Sequence, residues 1–235
     1  REVFEQIQCR DVVSWNALIS GYVQHGLAHE AIKCFEQMQD EEIQPDPITF
    51  TCILKACGMV GFLHVGEDID SKIRKQGLLE RDVVLGTALV DMYSKCGAFE
   101  KARDAFEHLP ARNVVSWTAL ISGYTQHGHG EEALKCFRQM QDTGVYPNAI
   151  TYISILKACG MTRSLEIGEE IDVEVRKQGL FLKNIVLGNS LVAMYAKCGA
   201  LDKAREVFEQ LPERNVVSWN ALIAGYVQHG LGEKS

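Results

Sequence analysis

The sequence predicts an all-α fold, an α-solenoid of stacked helix-turn-helix repeats, on three observations. First, near-identical stretches recur 102 residues apart, so that DVVSWNALISGY, NVVSWTALISGY and NVVSWNALIAGY place tryptophans at Trp15, Trp117 and Trp219. Second, apolar residues recur at helical spacing, and no alternation with a period of two persists. Third, helix pairs that cannot bury their apolar faces alone stack on their neighbours, as the repeats of a solenoid do.

The 102-residue period divides into three related units of 35, 36 and 31 residues, and the same three lengths then repeat. The predicted units are 12–46, 47–82, 83–113, 114–148, 149–184 and 185–215, with 1–11 as the second half of a short unit and 216–235 as the first part of a 35-residue unit. We therefore expect a segment of a longer array.

Each unit is predicted to form two helices. In 12–46, apolar residues at i, i+3, i+4 and i+7 from Trp15 mark the first helix, and Gly26 ends it. A second apolar stripe begins at Ala31, and Pro45 stops the second helix. The tryptophans share a stripe with Leu and Tyr, so we expect them in the core.

Net charge and hydropathy limit the classes of function. The chain has 24 Lys and Arg against 31 Asp and Glu, a formal net charge of −7, which argues against broad electrostatic binding to nucleic acid or membrane. No apolar run approaches the roughly 18 residues needed to span a bilayer, and no signal peptide is visible. We expect no membrane partner, and any targeting segment would lie outside these residues.

Cysteine spacing follows the repeat. Six of the eight cysteines pair at a distance of 102 residues: Cys34 with Cys136, Cys57 with Cys159, and Cys96 with Cys198. Residues that recur with their surroundings are typical of small buried side chains. There is no C-x-x-C, so the cysteines are predicted to be reduced, and neither a metal nor a cofactor is expected.

Two polar positions vary within the otherwise constant stretches. Asn16 of the first copy becomes Thr118 in the second, and the residue before the first valine alternates between Asp and Asn. Val13 and Asn16 begin a second stripe on the first helix, distinct from that of Trp15. A polar, ordered face repeated along a solenoid is either an ordinary solvated face or a ligand-facing surface, and the pattern alone leaves both open.

Two families of helix-pair repeat compete for this pattern. The tetratricopeptide repeat has a fixed length of about 34 residues, which cannot accommodate the observed alternation, and Ile19 occupies its glycine position. The alternation, with VVSWNALISGY, ITFTCILKACG, LVDMYSKCG and ARDAFEHLPARN, closely resembles plant organellar pentatricopeptide repeat proteins of the subclass with P, L and S motifs. The resemblance covers essentially the whole chain. It implies a right-handed α-solenoid that binds single-stranded RNA, one base per repeat.

In that family the fifth and the last residue of each motif choose the base. The resemblance therefore assigns base recognition to Asn16 with Asp46, Thr87 with Asn113, Thr118 with Asn148, Asn189 with Asn215, and Asn220 in the last motif. Weaker recognition falls to the L motifs, through Thr51 with Asp82 and Ile153 with Asn184. An aspartate only accepts hydrogen bonds, which suits the ring N–H of U or G, whereas an asparagine also donates, which suits A or C. At the fifth position the family code pairs Thr with purines and Asn with pyrimidines. The expected target is 5′-U-N-A-A-N-C/U-3′, with the first N leaning to G.

Two further sets of residues are implied by the resemblance. The second residue of the P and S motifs resembles the family's base clamp, at Val13, Val84, Val115, Val186 and Val217. Phosphate contacts are assigned to Lys95 and Lys197. Core packing is the alternative for the valines, and simple surface exposure is the alternative for the lysines.

No enzyme activity is predicted for this chain. In the family the array often precedes a deaminase domain with the zinc signature H-x-E followed by P-C-x-x-C. His129, Gly130 and Glu131 match its first part by chance, and no P-C-x-x-C follows. The implied role is the targeting part of an RNA-editing factor in the mitochondrion or chloroplast, with protein partners of an editing complex and no small-molecule substrate. The alternative is a helical scaffold that binds proteins or peptides.

Overall fold

The computed structural model describes residues 2–7 and 9–230, with side chains from Phe4 onward. Residues 1 and 8 of the first predicted unit and residues 231–235 of the last one lie outside the described residues. Every regular element among the described residues is an α-helix, which confirms the predicted all-α fold. None of the helices in these ranges has the length and apolar character that crossing a membrane requires.

The helices fall into pairs along the chain. In order they are α1 (Glu2–Glu5), α2 (Val12–Gln24), α3 (Ala28–Asp40), α4 (Pro47–Val60), α5 (Leu63–Lys75), α6 (Val83–Lys95), α7 (Phe99–Glu107), α8 (Val114–Gln126), α9 (Gly130–Asp142), α10 (Ala149–Thr162), α11 (Leu165–Lys177), α12 (Leu180–Lys183), α13 (Ile185–Lys197), α14 (Leu201–Glu209) and α15 (Val216–Gln228). We call α2, α4, α6, α8, α10, α13 and α15 the first helices, and α3, α5, α7, α9, α11 and α14 the second helices. Each first helix begins at the first residue of a predicted unit.

Internal contacts divide the chain into two compact units, residues 1–123 and residues 124–235. Within residues 1–123 the first helices form a row, in which α2 contacts α4 and α4 contacts α6. The helices α3, α5 and α7 each pack against the first helix that precedes them. Within residues 124–235 there is a corresponding row of α10, α13 and α15, with α11 packed on α10 and α14 packed on α13.

Glycine ends the first helices where the sequence predicts it. Helix α2 ends at Gln24, and Gly26 adopts a φ of 77°. Glycine enters this left-handed region without steric cost and therefore terminates helices. The prediction for Gly26 is confirmed, and His25 lies at the C-cap position between the two.

The short helix α12 was not predicted. In the second unit Phe181 of α12 is buried, and the Arg176 guanidinium lies 4.4 Å from the centre of its ring. The equivalent segment of the first unit forms turns instead, in which the N–H groups of Arg81 and Asp82 donate to the carbonyl of Leu78. An aromatic ring that packs under a guanidinium stabilises the extra helical turn.

Two of the three tryptophans, Trp15 and Trp117, belong to the core as predicted. Trp15 and Trp117 are buried, and each meets a phenylalanine edge-on, Phe4 at 4.7 Å and Phe106 at 4.5 Å between ring centres. Edge-to-face pairs at this distance are favourable. Trp219, on the last described helix, makes the same contact and is half exposed.

A buried polar network joins unit 47–82 to unit 83–113, and the same network joins unit 149–184 to unit 185–215. In residues 1–123 the Tyr93 hydroxyl donates to Oδ2 of Asp70 over 2.8 Å, and Arg74 Nε donates to Oδ1 of Asp70 over 2.8 Å. The second unit repeats this arrangement with Tyr195, Asp172 and Arg176. Because the buried carboxylate is satisfied on both oxygens, the network holds the second helix of one pair against the first helix of the next.

Candidate nucleic-acid interface

The fifth residues are more deeply placed than a solvated face would be. Asn16, Thr87, Thr118 and Asn189 are only 7–9% exposed. Asn220, which no later first helix covers within the described residues, is exposed. Burial to this degree excludes an ordinary solvated face for these four positions.

The best-defined pair is Asn16 with Asp46. Asn16 Nδ2 donates to Oδ1 of Asp46 over 3.0 Å, and the main-chain N–H of Thr49 donates to the same oxygen over 2.8 Å. The Thr49 hydroxyl lies 2.6 Å from Oδ1 of Asn16. The hydrogen bonds that Asn16 and Thr49 donate to the Asp46 carboxylate all end on Oδ1.

The charge of Asp46 is stabilised by these contacts. Burial would raise the pKa of this carboxyl, but the hydrogen bonds from the Thr49 N–H, the Asn16 amide and the Thr49 hydroxyl outweigh it. The pKa of Asp46 therefore lies below its ordinary value of 3.8. At neutral pH Asp46 is a carboxylate, which only accepts hydrogen bonds.

The pair Asn189 with Asn215 has a looser form of the same geometry. Asn189 Nδ2 lies 3.3 Å from Oδ1 of Asn215, which also accepts the Ser218 N–H over 3.0 Å. Oδ1 of Asn189 is buried and has no hydrogen-bond partner among the described residues. With Oδ1 of Asn215 in use, the amide group of Asn215 remains as a donor.

Among the described residues, no such hydrogen bond joins Thr87 to Asn113. Thr87 Oγ1 is buried and makes no hydrogen bond within residues 2–7 and 9–230, while Oδ1 of Asn113 accepts from the N–H groups of Val115 and Ser116. Thr118 donates to the carbonyl of Val114 over 2.6 Å.

In units 47–82 and 149–184 the described residues show no hydrogen bond between the fifth and the last residue. Thr51 donates to the carbonyl of Pro47, one turn back on its own helix. Asp82 accepts from the N–H groups of Val84 and Leu85. In the second unit Ile153 offers no polar group, and Asn184 accepts from the N–H of Leu187.

Sequence reasoning missed that every last residue is also a helix cap. Their Oδ1 atoms accept a main-chain N–H from the first turn of the next first helix, and this holds for Asp46, Asp82, Asn113, Asn148, Asn184 and Asn215. Asp and Asn cap helices about equally well. Capping is therefore compatible with either residue type, and the second atom of the head group, Oδ2 or Nδ2, differs between an acceptor and a donor.

A ladder of exposed aliphatic side chains lies beside these pairs. The second-position valines Val13, Val84, Val115, Val186 and Val217 are 53–68% exposed. Core packing, the alternative for these valines, is thereby excluded. The L motifs add Ile48 and Ile150, which are also exposed and which the sequence reasoning missed, although they occupy the same second position.

The two lysines assigned to phosphate differ in their surroundings. Lys95 Nζ forms a 2.7 Å ion pair with Asp91, one turn back. Lys197 has Ala193 at that place and forms no ion pair among the described residues. Both stems lie against glycines, since a Cβ on Gly58 would come within 3.2 Å of Lys95 and a Cβ on Gly160 within 3.0 Å of Lys197.

The acidic balance of the chain lies away from the first helices. Their charged residues are Lys55, Asp91, Lys95, Lys157 and Lys197. The negative excess is therefore carried by the second helices and the loops. The first helices themselves carry four lysines and one aspartate, so the net charge of −7 of the whole chain does not extend to them.

The described part of the chain contains no candidate metal site, and burial makes two of its cysteines unreactive. No group of three or more His, Cys, Asp or Glu side chains there could hold a metal ion. All eight cysteines are free thiols. Burial raises the pKa of Cys57 and of Cys159 to about 12, which leaves both as unreactive thiols at neutral pH.

The repeats of this chain match a known repeat family. The PPR repeat family matches residues 10–59 and 112–161, and the PPR repeat matches residues 87–114, 189–216 and 217–235. A chloroplastic pentatricopeptide repeat-containing protein of Arabidopsis thaliana is 41% identical over 98% of this chain and 37% of its own length. A putative mitochondrial one from the same plant is 40% identical over 100% of this chain and 37% of its own.

Solved structures match the fold at low sequence identity. The crystal structure of the maize pentatricopeptide repeat protein PPR10 matches with a TM-score of 0.65 and 22% identity over 95% of this chain and 33% of that one. PPR10 in complex with an 18-nt psaJ RNA element matches with a TM-score of 0.58 and 19% identity, over 99% of this chain and 40% of that one. These matches confirm the predicted fold class, an α-solenoid of helix-turn-helix repeats.

The matched repeats define a class, the helical-repeat proteins with paired-helix units. Within that class the chain belongs to the pentatricopeptide repeat family, since the family models cover most of it and the relatives align along nearly all of it. It spans about 37% of the length of those two curated relatives.

Proposed function

We propose that this chain binds single-stranded RNA in a sequence-specific manner, one base per repeat, as part of an array of P, L and S motifs. The observation that carries the proposal is the pair Asn16 with Asp46, in which Oδ1 of the last residue caps a helix and accepts from the fifth residue. The relative PPR10 was solved in complex with an RNA element, which supports the ligand class.

The base contacts of the proposal use the second atom of each last residue. Oδ2 of Asp46 accepts from the ring N–H of U, whereas Nδ2 of Asn215 donates to the ring nitrogen of C. Exposed valines at the second positions pack on base faces, because apolar side chains cover the ring surfaces that become dehydrated on binding. The target read by the six full motifs is 5′-U-N-A-A-N-C/U-3′.

Phosphate contacts come from the lysines of the first helices. To Lys95 and Lys197 we add Lys55 and Lys157, which are exposed on first helices of the L motifs. So few cations give a modest electrostatic contribution, since the affinity of single strands rises with each neutralised phosphate. Base reading therefore carries a large share of the specificity.

The relatives named chloroplastic and mitochondrial support an organellar role. We propose that the chain is the targeting part of an organellar RNA-editing factor. The chemistry would then reside in another domain or in a protein partner, because the described residues offer no metal cluster for a deaminase.

A single conservative substitution tests the proposed function. Asp46→Asn keeps the helix cap, as Asn148 does at the equivalent place, but replaces the acceptor Oδ2 by a donor. Selection from a randomised single-stranded RNA pool at fixed salt should return U at the first position for the original chain and C for the variant. The expected discrimination is about 5- to 150-fold, the scale of one good base contact.

Asp11→Asn is the matched control for this experiment. Asp11 caps α2 in the same way and carries the same charge, but it closes the partial unit 1–11, for which the chain contains no fifth residue. The control should leave the selected sequence unchanged. Failure of the original chain to bind any single-stranded RNA at low salt, or equal selection by both variants, would overturn the proposal, and binding of peptides in its place would favour the scaffold alternative.

A further inference from the structure

The Thr49 hydroxyl holds Asn16 from the side opposite to Asp46. Thr49 is fully buried, at the third position of α4. Its single hydroxyl proton lies between two acceptors, Oδ1 of Asn16 at 2.6 Å and Oδ1 of Asp46 at 3.0 Å. The shorter contact is the one to Asn16.

These neighbours fix the orientation of the Asn16 amide. Asp46 can only accept, so the NH₂ group of Asn16 must face it, and Thr49 supplies a donor to the carbonyl oxygen. A rotated amide would set its oxygen against a carboxylate oxygen, which is repulsive. The carbonyl of Asn16 is therefore occupied, and the second N–H of its NH₂ group is what remains for a ligand.

The other asparagine pair lacks this contact. Ser218 occupies the third position of α15, and its hydroxyl donates to the main-chain carbonyl of Asn215 over 2.8 Å. Oδ1 of Asn189 is left without a hydrogen-bond partner in the described part of the chain. A buried unsatisfied carbonyl costs free energy, so the amide of Asn189 gains from rotation whenever a partner is offered.

We propose that Thr49 is a positioning residue that makes Asn16 present only a donor to the base, and that the serine at 218 leaves Asn189 free to present either group. The third residue of the following repeat thus sets how sharply a fifth-position asparagine discriminates. This inference rests on the proposed function.

The test compares Thr49→Val with Thr49→Ser in competition binding. The RNAs differ only in U or G at the first position, because that choice depends on the fifth residue while Asp46 is constant. Thr49→Val should lower the preference for U over G by roughly three- to tenfold, the scale of one net hydrogen bond. Thr49→Ser, which retains a hydroxyl, should preserve the preference, and U over C should change little in both variants.

Ser218→Ala separates positioning from helix capping. Ser218 and Thr49 make the same capping box, in which each accepts from the N–H of its N-cap residue. Ser218→Ala should therefore lower the melting temperature much as Thr49→Val does, yet leave the preference at the sixth position unchanged. A uniform loss of affinity for all bases in Thr49→Val, with the U over G ratio intact, would overturn the inference.

A readout without RNA makes the two failures distinguishable. In the free protein, NMR should show that the Asn16 amide group rotates slowly about its Cβ–Cγ bond. Thr49→Val should accelerate this rotation, while Ser218→Ala should leave the rotation of the Asn189 amide unchanged. An Asn16 amide that is unaffected by Thr49→Val would overturn the inference and leave the proposed function standing. Absence of RNA binding by the original chain would overturn the proposed function and, with it, the role of Thr49 in base choice.

Discussion

The amide nitrogen of Asn16 lies 3.0 Å from Oδ1 of Asp46, and this contact joins the fifth residue of one repeat to the N-cap of the next first helix. The same oxygen therefore takes part in helix capping and in the pair that we propose reads a base. The pair can therefore form only when α2 is stacked on α4, so each fifth residue needs the first helix of the following repeat to be folded.

The pKa of Asp46 should depend on this contact. Asn16→Ala removes one of the hydrogen bonds that lower the pKa, so the pKa should rise toward its ordinary value of 3.8. An NMR titration of the side-chain carboxyl carbon measures it, with Asn220→Ala as the control. Equal values in both variants would show that the pair does not form in solution.

The sign of the linked stability follows from the direction of the shift. A carboxyl whose pKa is lower in the folded chain stabilises the fold above its unfolded pKa of about 3.9. That contribution is lost as the pH falls through the folded pKa. The difference in melting temperature between the original chain and Asn16→Ala should therefore shrink at acidic pH.

The exposed valines should affect RNA binding without affecting stability. Val84→Ala should change the free energy of unfolding by less than about 0.5 kcal/mol, since the side chain is exposed. It should weaken binding of all RNAs alike. Leu89→Ala, at a fully buried site of the same helix, should instead cost about 2–5 kcal/mol in denaturant unfolding. Unchanged RNA affinity in Val84→Ala would contradict a clamp at this position.

Lys197 should contribute more to phosphate binding than Lys95. The ion pair of Lys95 with Asp91 competes with phosphate, whereas Ala193 leaves Lys197 without that competitor. Lys197→Ala should flatten the slope of log affinity against log salt by about 0.7, the value for one contact to a single strand. Lys95→Ala should flatten it less, and Asp91→Ala should strengthen binding. The reverse order of the two lysines would refute this account of the charges.

The network of Tyr93, Asp70 and Arg74 should contribute measurably to the free energy of unfolding. Tyr93→Phe leaves the buried Asp70 with Arg74 as its remaining partner in the network, which should cost about 1–3 kcal/mol on unfolding. Tyr146→Phe, at an exposed site, is the control and should be neutral. Equal stability of the two variants would mean that the Tyr93 hydroxyl is not needed.

The repeat period and the helix pairs could be predicted from the sequence because both depend on local spacing, whereas the second-position valines were assigned through the family resemblance, with core packing as the alternative. The capping role of Asp46 was also visible, in principle, as an Asp three residues before Thr49 at the start of an apolar run. The contact from Thr49 to Asn16 was not, since it joins residues 33 positions apart and depends on how α2 stacks on α4. The contrast between Thr49 and Ser218 likewise appears only when both hydroxyl partners are known.

The most direct test of the central claim exchanges one pair for another. Thr118→Asn with Asn148→Asp converts the fourth-position pair into the combination of Asn16 with Asp46, and an Asp at position 148 retains the cap of α10. Competition binding with RNAs that differ only at the fourth base should show a switch from A to U, by about 5- to 150-fold. A double variant that folds, binds RNA and still prefers A would contradict base reading by the fifth and last residues.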